Sequence, residues 1–519
     1  MTGLISKFAT VGGASMASRV LGFAREALLA AVLGTGPVAD VFYTCFRFPN
    51  LFRRLFAEGA FNIAFVPLFA KQLEGGGDAA ARKFAQEIFA VLASWLLVFT
   101  AVALMFMPFL VANIVAPGFV DTPEKFELSV TMTRIMFPYL FCMSLVAMFS
   151  GILNSLRRYF LAAIVPVLLN VILISVLVMA IQLEWGDRQT GLALAWGVFV
   201  SGFGQLICLI WGVWHVGMGF RLALPRMSAP VRRLLVLMGP GLLTGGVLQI
   251  NLLIGTIIAT AQDGANALLN YADRLNQLPL GVIGIAVGVV LLPELSRALK
   301  AGDKNLAENL QNRSLEFALA LTLPAAVGLM VIPEDIIAVI YQRGAFDVEA
   351  TRATALALVG FASGLPAYVM LKVFQPAFFA REDMRTPFYF SIIMVVINVV
   401  LSLSLFPVYG HVAIAVATSV SAWVNLFLLA LTQWRRGDFK PDRQTLKRLQ
   451  LLLLSSVLMG AAILGLRLVL VDLLSAGFME QLLAVTIMIG GGAGIYFAIA
   501  LATGAIDRTR LNRLLRRQA

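Results

Sequence analysis

"CFRFPNLFRRLFAEGAF", residues 45–61, sets Arg47, Arg53, Arg54 and Glu58 among phenylalanines, leucines and alanines. In a soluble protein these charges would form the wet edge of an amphipathic helix. The flanks decide otherwise. Apolar runs continue on both sides and recur to the end of the 519 residues, of which 60% are hydrophobic and 13% charged, with a mean hydropathy of +0.88. Soluble domains carry about a quarter charged residues, and a spanning helix needs roughly 20 apolar residues in succession. The chain reads as an all-α integral membrane protein with no sizeable soluble domain, because runs this long satisfy their backbone inside lipid only as helices.

Breaks rich in charge, Gly or Pro divide the chain into about fourteen spans: 9–33, 39–70, 84–115, 129–153, 159–182, 191–214, 234–260, 266–293, 315–333, 353–379, 386–408, 411–433, 449–471 and 479–503. The first of them is a retained helix rather than a signal peptide, since Arg19 interrupts it and no cleavage site follows. With the N-terminus in the cytoplasm, most of the 40 Lys and Arg residues fall in inside segments, and the outside loops hold only Lys125, Arg188, Arg343 and Arg352. That alternation obeys the positive-inside rule and puts both termini in the cytoplasm. The net charge of +12 is thus a product of topology, not a nucleic-acid-binding surface. The basic tail "RTRLNRLLRRQA" reads as a stop-transfer flank that can also touch anionic lipid. Cys45, Cys142 and Cys208 lie in apolar segments with no CxxC pair, which points to packing and not to zinc or a disulfide.

The first six spans and the next six look like copies. Residues 39–71 align without gaps on 265–297, matching Ala39, Asn50, Ala60 and Pro67 with Ala265, Asn276, Ala286 and Pro293. Residues 191–209 align on 411–429, and Asn170 and Asn398 take similar places in the fifth and eleventh spans. An even number of helices gives both copies the same orientation, so two six-helix lobes are expected about a parallel pseudo-two-fold along the membrane normal. The expected division is 1–220 for the N-terminal lobe, 221–436 for the C-terminal lobe, and 437–519 for two extra C-terminal helices with a basic tail.

Nine basic residues remain in or near spans: Arg19, Arg25, Arg47, Arg53, Arg54, Arg134, Arg274, Lys372 and Arg467. A charge at mid-bilayer costs roughly 2.5–3.5 kcal/mol even on lenient scales, so such residues normally face a wet cavity. Arg134 and Arg467 are close enough to span ends to snorkel, and Lys372 stays open. The other six gather in spans 1, 2 and 8. Asp40, Arg47 and Arg54 recur every seven residues and share a helix face. Glu58 is one turn on, Arg19 and Glu26 share a face, and Asp273 adjoins Arg274. Pro49 is expected to bend span 2 within this stripe. Internal ion pairs that fix helix packing are one reading. The six arginines outnumber Asp40, Glu26, Glu58 and Asp273, however, and Arg presents a fork of donors suited to phosphate. A cavity for a large anion is the better reading.

The stretches "SRVLGFAREALLAAVLGTGPVADVFYTCFRFPNLFRRLFAEGAFNIAFVP", "APGF", "NYADRLNQLPLGVIGIAVGVVLLPELSRA" and "YQRGAF" closely resemble the MurJ (MviN) family of lipid II flippases. That family sits in the MOP superfamily with multidrug and polysaccharide exporters, and the resemblance runs from the first span to the last. It implies transfer of undecaprenyl-pyrophosphate-linked peptidoglycan precursor from the cytoplasmic to the periplasmic leaflet of the bacterial inner membrane. The family's cavity arginines would fall on Arg19, Arg25, Arg53, Arg54 and Arg274, and its acidic partners on Asp40 and Glu58, with Arg47 and Asp273 added from the charge pattern. The two appended spans would form a groove for the lipid tail. Some members bind sodium through acidic residues in spans 7 and 11, which here contain no Asp or Glu, so membrane potential or a proton is the expected drive.

No catalytic residues, metal site or cofactor are expected. The expected partners are lipid II, membrane lipids and proteins of cell-wall synthesis or division, and the chain is expected to act as a monomer. Two other classes stay in view. A membrane enzyme acting on lipid-linked sugars would need paired carboxylates or a metal cluster, whereas His215 and His411 stand isolated at span ends. A cation-coupled drug exporter would want an acidic cavity. No Walker A loop is present, so ATP is not the fuel.

Overall fold

A computed structural model describes residues 2–54, 61–219 and 223–506, and every regular element among them is helical. The order is α1 (Thr2–Leu33), α2 (Pro37–Phe52), α3 (Phe61–Met105), α4 (Met107–Leu110), α5 (Pro123–Met136), α6 (Tyr139–Ser155), α7 (Tyr159–Gln182), α8 (Asp187–His215) and α9 (Ala229–Ala259). Then follow α10 (Ala265–Lys300), α11 (Lys304–Val331), α12 (Pro333–Tyr341), α13 (Val348–Phe379), α14 (Arg385–Tyr409), α15 (His411–Arg436), α16 (Arg443–Val469), α17 (Val471–Leu474) and α18 (Phe478–Ala502). Ten segments among the described residues are long and apolar enough to cross a bilayer, with α5 and α6 together making one of them, Pro123–Ser155. The chain is therefore an all-α, multi-pass membrane protein. Helices α1, α9 and α10 coincide with the expected spans 1, 7 and 8, and α2 with the first part of span 2.

The breaks inside the apolar runs have visible causes. In span 2 of the sequence α2 runs through Pro49 to Phe52 and widens into a π-type turn at Arg53 and Arg54. Within α3 the backbone leaves the helix at Gly77, where φ 68 and ψ −169 suit a residue without a Cβ. That point lies in "EGGGD" and separates the second and third spans. Pro138 interrupts the fourth expected span between α5 and α6.

Two compact units divide the chain: Met1–Ala267 with Arg343–Phe346, and Leu268–Gln342 with Asp347–Ala519. In the first, α1 packs on α7, α7 on α8, α6 on both α3 and α8, and α2 on α5. Small residues let these backbones approach, as bilayer helices require: a Cβ on Gly202 would stand 2.8 Å from the Tyr139 ring, and one on Gly197 2.9 Å from Leu173. Helix α9, first span of the expected second lobe, packs here against α3 and α2, so packing divides the chain one helix later than the repeat does. The segment 343–346 from "YQRGAF" also belongs to this unit, with the Ala345 N–H donating to the Ala31 carbonyl at 2.8 Å. Gly344 has φ +56 and leaves no room for a Cβ against that same carbonyl.

In the second unit α13 is central, with 72% of its most apolar 18-residue stretch buried, against 17% for that of α14. Helix α13 packs on α15 and α11, and Ser419 Oγ donates to the Gly360 carbonyl at 2.6 Å. The appended helices join through α16, which packs on α11 and α18. Thr445 and Arg448 both bond the Glu316 carboxylate of α11 at 2.8 Å. Of the three cysteines expected to be buried, Cys45 and Cys142 are, but Cys208 is exposed on α8.

Candidate functional site

Helix α1 carries Arg19, which is exposed, and Arg25, whose side chain is 11% exposed. Arg25 is gripped on both terminal nitrogens. Nη1 donates to Asn170 Oδ1 of α7 at 3.1 Å, and Nη2 forms an ion pair with the adjoining Glu26. Glu26 in turn accepts a hydrogen bond from the Tyr43 hydroxyl of α2 at 2.5 Å. A buried cation is tolerated here because a buried anion and two polar side chains surround it.

Helix α2 was expected to line one face with Asp40, Arg47 and Arg54, and the first two both turn toward the segment that runs from α9 into α10. Asp40 is fully buried and fully engaged: Lys125 of α5 donates to it at 2.7 Å, and the backbone N–H groups of Gly264 and Asn266 at 3.2 and 3.0 Å. It closes the first turn of the segment that opens α10, as a carboxylate suits a helix N-terminus. Arg47 reaches Thr256 Oγ1 of α9 at 2.8 Å. Arg53, at the π-type turn, bonds back through Nε to Asn50 Oδ1 at 2.7 Å, while Arg54 is exposed. Glu58 lies outside the described residues.

Lys125 is the residue that sequence reading misplaced. Assigned to an outside loop, it is buried in the first turns of α5, shared between Asp40 and, at 2.8 Å, the exposed Asp263, with its Nζ 4.0 Å from the centre of the Phe119 ring. The signal was present. Lys125, Ser129, Met132 and Met136 form a buried helical stripe that begins at Pro123. Taking Asp40 into this pair enlarges the excess of positive charge among the remaining candidates.

In the second unit α10 carries Asp273 and Arg274, both half-buried, and Gln277 donates to the Asp273 carboxylate. Among the residues left open, Lys372 and Arg134 are exposed. Arg467 holds Asp335 of α12 with two prongs, at 2.7 and 3.3 Å. His411 Nε2 lies 3.0 Å from the Ala353 carbonyl, to which it donates.

A family model described as "Lipid II flippase MurJ" matches residues 29–485. The chain belongs to the MurJ family of lipid II flippases. A relative from Rhizobium tropici, described as a probable lipid II flippase MurJ, is 49% identical over 519 residues, covering 99% of this chain and 97% of its own. A Burkholderia cenocepacia protein described as lipid II flippase MurJ is 35% identical and covers 83% of this chain and 84% of its own. Among solved structures, an inward closed lipid II flippase MurJ superposes with a TM-score of 0.74 over 94% of this chain and 98% of its own, at 23% identity. An inward-facing multidrug transporter of the MOP superfamily gives 0.68 at 13% identity, over 81% of this chain and 94% of its own. The MurJ resemblance therefore holds along the whole chain. Of the residues it singled out, Arg19, Arg25, Arg53, Arg54 and Arg274 lie on described helices or their ends, and Asp40 is fully buried.

Proposed function

We propose that this MurJ-family chain carries lipid II from the cytoplasmic to the periplasmic leaflet of the inner membrane by alternating access, and that it is a transporter and not an enzyme. The observation that carries the site reading is Arg25. It is a cation buried within a span, held by one neutral and one anionic partner, with Nε and the remaining terminal N–H groups unbonded by protein among the described residues. Such a guanidinium can add the oxygens of a pyrophosphate without leaving its place. Arg19, Arg53, Arg54 and Arg274 are the other proposed headgroup ligands, and Arg47, Glu58 and Asp273 adjust their charge and position. Asp40 is assigned to the fold.

Fourteen spans in two parallel lobes, with both termini in the cytoplasm and a single chain as the working unit, complete the proposal. The repeat gains support at side-chain level. Ser201 bonds the carbonyl three residues back, Val198, and its aligned Ser421 bonds Thr418 in the same way. The aligned Gln205 and Asn425 are both buried. Helices α9 and α14 contain no Asp or Glu, which favours membrane potential or a proton over a sodium site there. The lipid tail is assigned to the appended helices, and proteins of cell-wall synthesis or division are candidate partners.

The deciding experiment is reconstitution into vesicles with fluorescent lipid II on one leaflet. Wild type should equilibrate the lipid, and Arg53→Ala or Arg54→Ala should not, each losing a charge-assisted bond of about 1.5–3 kcal/mol. Full transport by both variants would remove the arginines from the site.

A further inference from the structure

In the sequence Asn170 stands out only as the repeat partner of Asn398. In the structure it lies within α7, 6% exposed, with both ends of its amide engaged on α1. Nδ2 donates to the Ser18 carbonyl at 3.1 Å, and Oδ1 accepts from Arg25 Nη1 at 3.1 Å. A carbonyl can only accept and a guanidinium can only donate, so the two partners fix which end of the amide is which. Asn398 accepts from Ser402 of its own helix at 3.1 Å.

The two grips on Arg25 differ in kind. Glu26 is an anion, and a pyrophosphate offers the same sort of acceptor and competes with it for Nη2. Asn170 is neutral, so an arriving anion gains little by displacing it. Because the guanidinium is planar, holding Nη1 fixes the direction in which the other donors point. The Ser18 carbonyl fixes Asn170 in turn.

We propose that Asn170 is a positioning residue for substrate capture: it aims the Arg25 guanidinium at the pyrophosphate and keeps it aimed when Glu26 is displaced. The proposal rests on the reading of Arg25 as a headgroup ligand. The plainer role for a buried Asn is to tie two membrane helices together, and the bond to Ser18 alone would do that.

A double-mutant cycle separates the two roles. Lipid II affinity is measured on purified protein in nanodiscs for wild type, Asn170→Leu, Arg25→Ala and the double variant. Asn170→Leu should bind about tenfold more weakly, the change that the loss of one hydrogen bond to a charged group produces. The double variant should bind no worse than Arg25→Ala. Asn170→Ser, which can bond within its own helix but is too short to reach Arg25, carries the same expectation should the leucine variant fold poorly. Equal losses in both backgrounds would make Asn170 a helix tie and overturn the proposal, as would wild-type binding by both Asn170 variants beside a weakened Arg25→Ala. Wild-type binding by Arg25→Ala itself would sink the cavity reading and the proposal with it.

Discussion

A buried cation is held by whatever lies within reach of its donors, and three of the described basic residues show how the holding can differ. Arg25 has an anion and an amide, Arg47 a hydroxyl, and Lys125 two carboxylates. Two carboxylates and the Phe119 ring surround the Lys125 ammonium, which commits it to the fold. Lys125→Met should therefore act on stability: it strands Asp40 in the interior, at a cost of about 3–5 kcal/mol, and should lower the yield and thermal midpoint of the purified protein. Adding Asp40→Asn should recover part of that loss, because it removes the stranded charge and its amide oxygen can still accept from the Asn266 N–H. A double variant no better than Lys125→Met would refute the pairing. Arg274 is a different case, proposed to bind phosphate through its fork. Arg274→Lys keeps the charge but not the fork, so it should reach the membrane at normal levels yet fail to support growth when the native protein is depleted. Normal growth would mean that charge alone is needed. The arginines were legible in the sequence because charge inside an apolar run is conspicuous. Lys125 was not, because its position just before a run resembles a loop, and only the helical stripe through Ser129 and Met136 betrays it. Asn170 carried no signal of its chemistry, since its partners are on another helix.

Helices were legible wherever an apolar run was long enough to need one, and breaks were legible where Gly or Pro stands in the run. The π-type turn at Arg53 and Arg54 had no such mark. The segments that join helices answer to more local physics. Gly344 sits at φ +56, and a Cβ added there would stand 2.2 Å from the Ala31 carbonyl oxygen. In Gly344→Ala the left-handed backbone costs about 1–2 kcal/mol before the overlap is counted, so the thermal midpoint should fall, whereas Gly302→Ala, left-handed at φ +73 but with open space around it, should fall less. Equal losses would show that the close approach to Ala31 contributes nothing. Between α13 and α14, Asp383 bonds Arg436 at 2.7 Å and Thr386 through both its N–H and its hydroxyl. Burial pushes the Asp383 carboxyl up, but the bonds from Arg436 and Thr386 outweigh it and hold it down at about 2. A carboxyl depressed in the folded state contributes stability that is complete above its ordinary value near 4 and is lost as pH falls through about 2. Asp383→Asn should lower the thermal midpoint at neutral pH, and its difference from wild type should shrink as pH falls through that window. A pH-independent difference would assign the effect to packing.

The proposed alternating access is a property of the whole molecule, and the arginines it would use are spread along the chain. Arg19, Arg25, Arg53 and Arg54 belong to the first unit and Arg274 to the second. A pyrophosphate that is held more tightly in one state than in the other would favour that state. A ligand shifts such an equilibrium only by its differential affinity for the two states. Leu51 and Gln277 are aligned in the repeat and lie three residues from Arg54 and Arg274, so each shares a helix face with its arginine. Single cysteines at these positions, in variants that still support growth, should be labelled by a membrane-impermeant thiol reagent from one side of the membrane at a time. Added lipid II should change the ratio of the two labelling rates, and Arg274→Ala should blunt that change because the second unit then loses its hold on the anion. Labelling from both sides at equal rates, unmoved by lipid II, would describe a continuous pore. A pore passes its cargo without the units exchanging states, and the buried arginines would then have to be explained by selectivity instead of by the driving of a conformational cycle.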